Sequence, residues 1–400
     1  MRIALIQPDS PYLAYPFAFP SLGLLYISAY LKEHGLKPDF YDLTGGGKLP
    51  DIRADVIAFS CQITQYPAVV EMRDRLKKTN PDAMFVIGGP YPTHTFCPKF
   101  YNIQGEGEIP FARLLGLSGN QYANRGFLPD WEAIDLDKYG YSLEGKRCIN
   151  IMTKRGNCPY RCAFCAKQEN GKSPLRFRSL QHIMMEVDYL RSRGFGALAI
   201  YDDDVLIKKE RDVKIFECLK EREMPYRCMT RTDLATKEDL QMLKETGCAE
   251  VAVGIETADE KIHRVVNKGT TLEQDSEFMR NAKAVGLRVK AYLMIGLPGE
   301  SMESVEKTRR WLRVHKPENY DLSIFTPYPG SHIYSNKKLY DIRWDKKRLQ
   351  KLWYSGAAQY EDCAVSTSHL TSAEIVALKK ATDAEFKRGK AGSTSYWKPL

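Results

Sequence analysis

Nowhere in the 400-residue chain does an apolar stretch reach the roughly 20 residues that a membrane helix needs, so no membrane span is expected. The start, Met1-Arg-Ile-Ala-Leu-Ile-Gln7, meets Pro8 and Asp9 too soon for a secretory signal. No Lys/Arg run is long enough to read as a nucleic-acid arm. The net charge of +9 leans toward an anionic small molecule, but solvated basic surface explains it as well, and a nucleic-acid partner is unsupported. The ten cysteines form no disulfide framework. Seven of them (Cys61, Cys97, Cys148, Cys218, Cys228, Cys248 and Cys363) stand singly, several in apolar runs, as reduced buried thiols of a cytoplasmic protein do. What remains is a globular composition, 43% hydrophobic and 27% charged, on a chain long enough for two domains.

Residues 1–125 alternate short apolar runs with helical patterns. Strands are expected at Arg2–Ile6, Lys37–Leu43, Asp55–Ser60, Met84–Ile87 and Tyr101–Gln104. Helices are expected from Ser21 to His34, over about Pro67–Lys78, and from Glu108 to about Leu117. Such alternation implies α/β architecture with a doubly wound parallel sheet, whose ligands lie beyond the carboxyl ends of the strands. The segments Ser60–Thr64, Gly88–Thr93 and Gly105–Glu108 fall there. A polar, turn-forming linker follows over residues 126–146.

Residues 147–340 repeat strand and helix six times, with strands at Cys148–Thr153, Ala197–Tyr201, Tyr226–Thr230, Glu250–Ile255, Arg288–Ile295 and Asp321–Phe325. Thr236 and Thr271 are placed to cap helices that stop at Gly247 and Gly286. Six units are too few for an eight-stranded barrel and fit a curved partial (β/α)6 barrel, with functional groups at the carboxyl ends of its strands. Residues 341–400 form a helical extension: a basic, aromatic stretch from Trp344 to Gln359, a helix from Thr371 to Arg388, and a loose end from Gly389.

At the mouth of the first barrel strand stands Cys158-Pro-Tyr-Arg-Cys162-Ala-Phe-Cys165. Three thiolates can hold three irons of a cubane 4Fe–4S cluster. A fourth cysteine at matching spacing is missing, which leaves one iron open to a small-molecule ligand. A partial zinc knuckle and unligated buried thiols are the other readings, and no histidine lies near enough to complete a tetrahedral zinc site.

The spacing of Cys158, Cys162 and Cys165, with Phe164 before the last, resembles that of the radical S-adenosylmethionine (SAM) enzymes. Asn267-Lys-Gly269, Met294-Ile-Gly-Leu-Pro-Gly-Glu300 and Pro327-Tyr-Pro-Gly330 match that family in order and spacing. The first domain resembles the cobalamin-binding domain that precedes many radical SAM domains, through Pro20-Ser-Leu-Gly23, Ser60 with Thr64, Gly88-Gly89-Pro90 and Gly105-Glu-Gly-Glu108. It departs in lacking the Asp-x-His-x-x-Gly motif that supplies histidine to cobalt in other cobalamin proteins.

The resemblance implies a reduced cluster that splits SAM into methionine and a 5′-deoxyadenosyl radical. It also implies methylation of an unactivated carbon from methylcobalamin, and an external electron donor of flavodoxin or ferredoxin type. By position, Phe164, Asp202, Asp203, Arg231, Gly254 and Glu256 would meet SAM, and Ser60, Thr64, Gly88, Gly89, Gly105 and Glu106 would meet cobalamin. The acidic pair suits the SAM ammonium group by charge, and a cluster at a helix N-terminus would look the same. Arg231 suits either the SAM carboxylate or a structural ion pair. Glu256 suits ribose hydroxyls, with Gly254 letting a ligand approach the backbone. Alternatives are a non-methylating rearrangement, cyclisation or oxidation, a tRNA methylthiotransferase, and an iron–sulfur electron carrier.

Overall fold

In the computed structural model, which describes residues 1–10, 13–117, 128–166, 174–355, 362–386 and 398–399, the apolar run Ile3–Gln7 becomes strand β1 at the centre of a parallel sheet. Helix α1 (Leu22–Glu33), β2 (Asp39–Asp42), β3 (Val56–Ser60), α2 (Tyr66–Thr79), β4 (Met84–Gly88), the single turn α3 (Pro90–His94), β5 (Tyr101–Asn102) and α4 (Glu108–Leu114) follow. The strand order is β2-β1-β3-β4-β5, all parallel. Alternate strand residues bury on opposite faces, as a period of two requires. Ile6, Ile57, Phe59 and Ile87 pack with Val69 and Leu76 of α2. Ile3, Leu5, Ala58 and Val86 pack with Leu24 and Leu31 of α1 and Phe111 of α4. The order reverses between β1 and β3, the switch point at which doubly wound sheets bind ligands.

By their contacts the residues form two units: Met1–Gly140 with Lys154–Asn157 and Glu169–Arg193, and Tyr141–Thr153 with Cys158–Gln168 and Gly194–Leu400. In the second, Tyr141–Leu143 is strand β6 and pairs antiparallel with β7 (Lys146–Ile151) through a turn at Glu144 and Gly145. From the sequence, residues 141–143 are expected within the linker. A three-residue hairpin arm is too short to show periodicity. The ribbon of β8 (Lys154–Arg155) and β9 (Arg176–Phe177), with α5 (Leu180–Ser192), belongs to the first unit.

The sheet of the second unit continues with β10 (Ala197–Ile200), α6 (Lys209–Glu221), β11 (Tyr226–Thr230), α7 (Lys237–Glu245), β12 (Cys248–Glu256), α8 (Glu260–Val265), α9 (Leu272–Ala284), β13 (Val289–Ile295), α10 (Met302–His315) and β14 (Asn319–Ile324). Six parallel strands run in the order β7-β10-β11-β12-β13-β14. The capping boxes expected at Thr236 and Thr271 are formed. Helix α8 is not among the elements expected from the sequence. Its six residues are too few for helical periodicity to register, and Asp259 caps it through the N–H groups of Lys261 and Ile262.

After β14 comes α11 (His332–Ser335), and the extension adds β15 (Arg343–Trp344), α12 (Lys346–Ser355), β16 (Val365–Ser366), α13 (Ser372–Phe386) and β17 (Lys398–Pro399). Its Trp353 packs on aromatics that precede it: it stands 6.2 Å from Tyr328 and 5.8 Å from Tyr334, ring centre to centre. Within the segment expected to be loose, Lys398 and Pro399 pair with Ser142 and Tyr141 of β6, and the rest of it lies outside the described residues. No helix among the described residues is long and apolar enough to cross a membrane.

Candidate active site

The cysteine loop, Cys158–Cys165, lies at the carboxyl end of the second unit's sheet. The turn at Asn267-Lys-Gly269 holds it. Ala163 N–H donates to Val266 O at 2.7 Å, and Asn267 Nδ2 donates to Arg161 O at 2.9 Å. Asn267 itself has φ +49°, a conformation its short side chain tolerates. Cys162 Sγ lies 3.9 Å from Lys268 O, and Ile333 N–H donates to Ala163 O from α11. The three cysteines of the loop are half-buried, whereas six of the other seven are fully buried. Burial pushes the Cys158 thiol up to about 12, with Asp204 and Asp203 adding to the shift. Burial also raises Cys162, while Lys268 and Arg231 pull it back. Among the described residues no group of three His, Cys, Asp or Glu is arranged to hold a metal ion. Three soft thiols on one short loop, with cations beside Cys162, are the donor chemistry of an iron–sulfur cluster with one iron left open.

The strand-end residues divide. Asp202 is buried, and both of its oxygens accept from Thr153, from the backbone N–H at 2.8 Å and the hydroxyl at 2.5 Å. It joins the ends of β10 and β7. Asp203 is half-buried, and Asp204 stands 3.7 Å from Cys158 Sγ. Arg231 gives two nitrogens to Asp233, at 2.9 and 3.0 Å, and lies 3.7 Å over the Tyr160 ring. Its third nitrogen is 3.9 Å from Cys162 Sγ. The structural ion pair is therefore formed, and the guanidinium braces the cysteine loop. Phe164 is half-buried on that loop.

Glu256 ends β12 at φ +67°, where the register with β13 slips between Gly254 and Glu256. A bulge next to a site commonly re-aims a side chain. Here it turns the carboxylate toward Lys268 Nζ, at 3.2 Å, and that ammonium also reaches Gly254 O. A Cβ on Gly254 would fall on Glu256 Oε1 and 2.7 Å from Lys268 Nζ. The space that this glycine leaves is filled by the ion pair, so the ligand approach expected there is taken by Glu256 and Lys268. Lys268 is not among the site residues expected from the sequence, although it lies in the Asn267-Lys-Gly269 motif. A lone lysine in a turn reads as solvent-exposed, and only the fold buries it to 4% side-chain exposure.

In the first unit the segments 60–64, 88–93 and 105–108 meet at the carboxyl edge of the sheet. Cys61 N–H donates to Gly88 O and Tyr91 N–H to Cys61 O. Thr93 Oγ1 donates to Gly89 O at 2.8 Å and accepts from Gly105 N–H at 3.1 Å, tying two of the turns together. Gly89 has φ +102°, and a Cβ there would sit 3.0 Å from the Cys61 backbone. Ser60 is half-buried, and the Thr64 hydroxyl is buried with no hydrogen-bond partner among the described residues. Glu106 is paired with Arg155 and Arg176, and Glu108 with Arg155. The Glu106 carboxylate is thus already engaged within the protein.

A doubly wound domain and a parallel half-barrel carrying a three-thiol loop define a class of two-cofactor α/β proteins. Residues 154–312 match the model of the Radical SAM superfamily and residues 13–115 that of the B12 binding domain. The chain belongs to the cobalamin-binding branch of the radical SAM superfamily. It is similar to an uncharacterised methyltransferase of Pyrococcus horikoshii, 26% identical over 82% of this chain and 81% of that one. It is also similar to the anaerobic magnesium-protoporphyrin IX monomethyl ester cyclase of Rubrivivax gelatinosus, 24% identical over 84% and 69%. The fold is similar to that of a radical SAM methyltransferase of Kitasatospora setae, solved with cobalamin and a 4Fe–4S cluster. That match has a TM-score of 0.67, 16% identity, and covers 83% of this chain and 74% of that one.

Proposed function

We propose that the chain is a cobalamin-dependent radical SAM methyltransferase acting on an unactivated carbon. The observation that carries this is the three-thiol loop on a half-barrel, in a chain that also carries a B12 binding domain. In this reading Cys158, Cys162 and Cys165 hold three irons. Asp203 meets the SAM ammonium group. Arg231 and Lys268 keep positive charge beside Cys162, which favours its thiolate. Glu256, held by Lys268, faces the ribose. In the first unit, Ser60, Thr64, Gly88, Gly89 and Gly105 form the cobalamin ledge, with Thr93 fixing its turns. When bound, the cluster supplies the electron that cleaves SAM and cobalamin supplies the methyl group; the protein orients them and excludes water. The reductant is an external carrier of flavodoxin or ferredoxin type, and the location is the cytoplasm.

The cyclase relative favours a second reading, radical chemistry without methyl transfer. Anaerobic incubation with methyl-labelled SAM, reductant and cell extract separates the two. The methyltransferase places label in a new product. Release of 5′-deoxyadenosine with no labelled product overturns methyl transfer.

A further inference from the structure

Seven cations and two carboxylates stand between Lys337 and Lys351, a net +5 of the chain's +9. Both acids are engaged locally. Asp341 accepts from the N–H and hydroxyl of Ser368, and Asp345 accepts from Arg348 N–H at 2.7 Å. Arg348 pairs with Asp362, and Lys337 Nζ lies 4.3 Å over the Trp344 ring. Lys338, Arg343, Lys346, Lys347 and Lys351 are left exposed, with no ion pair among the described residues. Lys346, Lys347 and Arg348 crowd the start of α12, whose first turn carries no acid. The helix dipole disfavours cations there and like charges repel, so stability does not account for them. Leu349, Leu352 and Trp353 form the buried side of α12, which turns Lys347 and Lys351 together toward solvent. Leu339, 73% exposed, adds an apolar spot beside Lys338.

This basic face is tied to the cysteine loop through α11. Ile333 N–H donates to the carbonyl of Ala163, the residue after Cys162, at 3.0 Å. Tyr340 folds back on α11, its hydroxyl 2.7 Å from His332 Nδ1, which holds Leu339 next to that turn. Trp344, just before the α12 cap, stacks on Tyr334 at 6.2 Å, and Trp353 packs on the same ring at 5.8 Å. Both ends of the basic stretch therefore return to the turn whose backbone touches the loop. Its rings are half-buried or buried, so it offers charge without the exposed stacking platforms by which single-stranded nucleic acid is held.

We propose that this face docks the electron donor, and that the donor is a small acidic one-electron carrier protein. This rests on the radical SAM reading above. One electron leaves the carrier's reduced cofactor, which is oxidised, and enters the cluster, which is reduced. Opposite charges steer such an encounter and make it salt-dependent, and Leu339 gives an apolar contact beside them.

The test uses the full chain with its cluster, cobalamin and SAM, driven either by dithionite or by a recombinant acidic flavodoxin with its reductase and NADPH. Two quantities are read: the flavodoxin concentration for half-maximal release of 5′-deoxyadenosine, and the dissociation constant of oxidised flavodoxin by titration calorimetry. Lys347→Glu with Lys351→Glu is expected to raise both about tenfold and to remove most of their dependence on salt. Release driven by dithionite, which needs no docking, should stay at the parental rate. Lys214→Glu with Lys283→Glu, at exposed lysines of α6 and α9, changes the net charge equally and should leave both quantities unchanged. Should iron content show that the first variant misfolds, Lys347→Gln with Lys351→Gln takes its place. Parental values in the α12 variant, equal effects of the two double variants, or no binding of flavodoxin or of an acidic ferredoxin to the parent overturns the inference. So does binding of a single-stranded RNA oligonucleotide that the α12 variant loses while its flavodoxin values stay parental. All of these leave the radical reading intact. No release with dithionite in the parent overturns the radical reading, and this inference with it.

Discussion

Cys148 and Cys162 are both thiols of the second unit, only fourteen residues apart in the chain, yet their settings differ. Cys148 is fully buried on β7, while Cys162 sits half-buried beside Lys268 and Arg231. Cys162→Ala should lose most of the iron and all SAM cleavage, because two thiolates cannot hold three corners of a cubane. Cys148→Ala should keep both, as expected for a small buried hydrophobe. Asp203→Asn should keep the iron and weaken SAM binding. Iron assay and SAM equilibrium dialysis on the three variants check these outcomes. A different residue, Glu300, sets a pH response. It is fully buried, and burial pushes its carboxyl up to about 8 against the N–H groups of Gly296 and Leu297, which lower it. The folded state then binds more protons than the unfolded one between the ordinary carboxyl range and about pH 8. The resulting stability is present at low pH and lost as pH rises through that window. The melting temperature should therefore fall from pH 6 to pH 9 in the parent and fall less in Glu300→Gln, and equal slopes would remove Glu300 as the cause.

Among the elements, the β12 bulge and the Asn267–Gly269 turn work as one part. The bulge aims Glu256 at Lys268, and the turn that carries Lys268 also holds Arg161 and Ala163 of the cysteine loop. Lys268→Met would leave the Glu256 carboxylate buried without its cation, a loss of about 3–5 kcal/mol. Thermal or urea unfolding should show that loss, and Lys268→Met with Glu256→Gln should recover most of it. A single variant as stable as the parent would mean that the pair is dispensable. The strands and capping boxes were legible in the sequence because periodicity and caps are local signals. β6 and α8 were not, being three and six residues long.

For the whole molecule, a ligand that binds only the folded state stabilises it by mass action. Hydroxocobalamin at about 100 times its dissociation constant should add about 2.7 kcal/mol to the unfolding free energy of the unit that binds it. Denaturation followed by a probe in the first unit, such as Trp131, should move to higher denaturant on addition of cobalamin. No shift at saturating cobalamin would count against the ledge formed by Ser60, Gly89 and Gly105. The matched families span residues 13–115 and 154–312, and of the motifs read from the sequence all but Pro327-Tyr-Pro-Gly330 lie in those same stretches.

The sequence by itself determined the two-domain α/β order, the three-thiol loop and the class of chemistry. These depend on spacing along the chain, which neighbours in space do not alter. Only the tertiary structure decided which polar groups face one another. Asp202 is spent on Thr153, Glu106 on two arginines, and Gly254 on making room for Glu256 and Lys268. Asn150, Arg227, Glu250 and Asn319 come from strands scattered over about 170 residues of chain, and Asn319 on β14 reaches Glu250 on β12 across the strand between them. Asn150, Arg227 and Glu250 each stand between apolar neighbours in the sequence, as strand residues commonly do. What distinguishes them is that the sheet bends far enough for side chains on non-adjacent strands to touch.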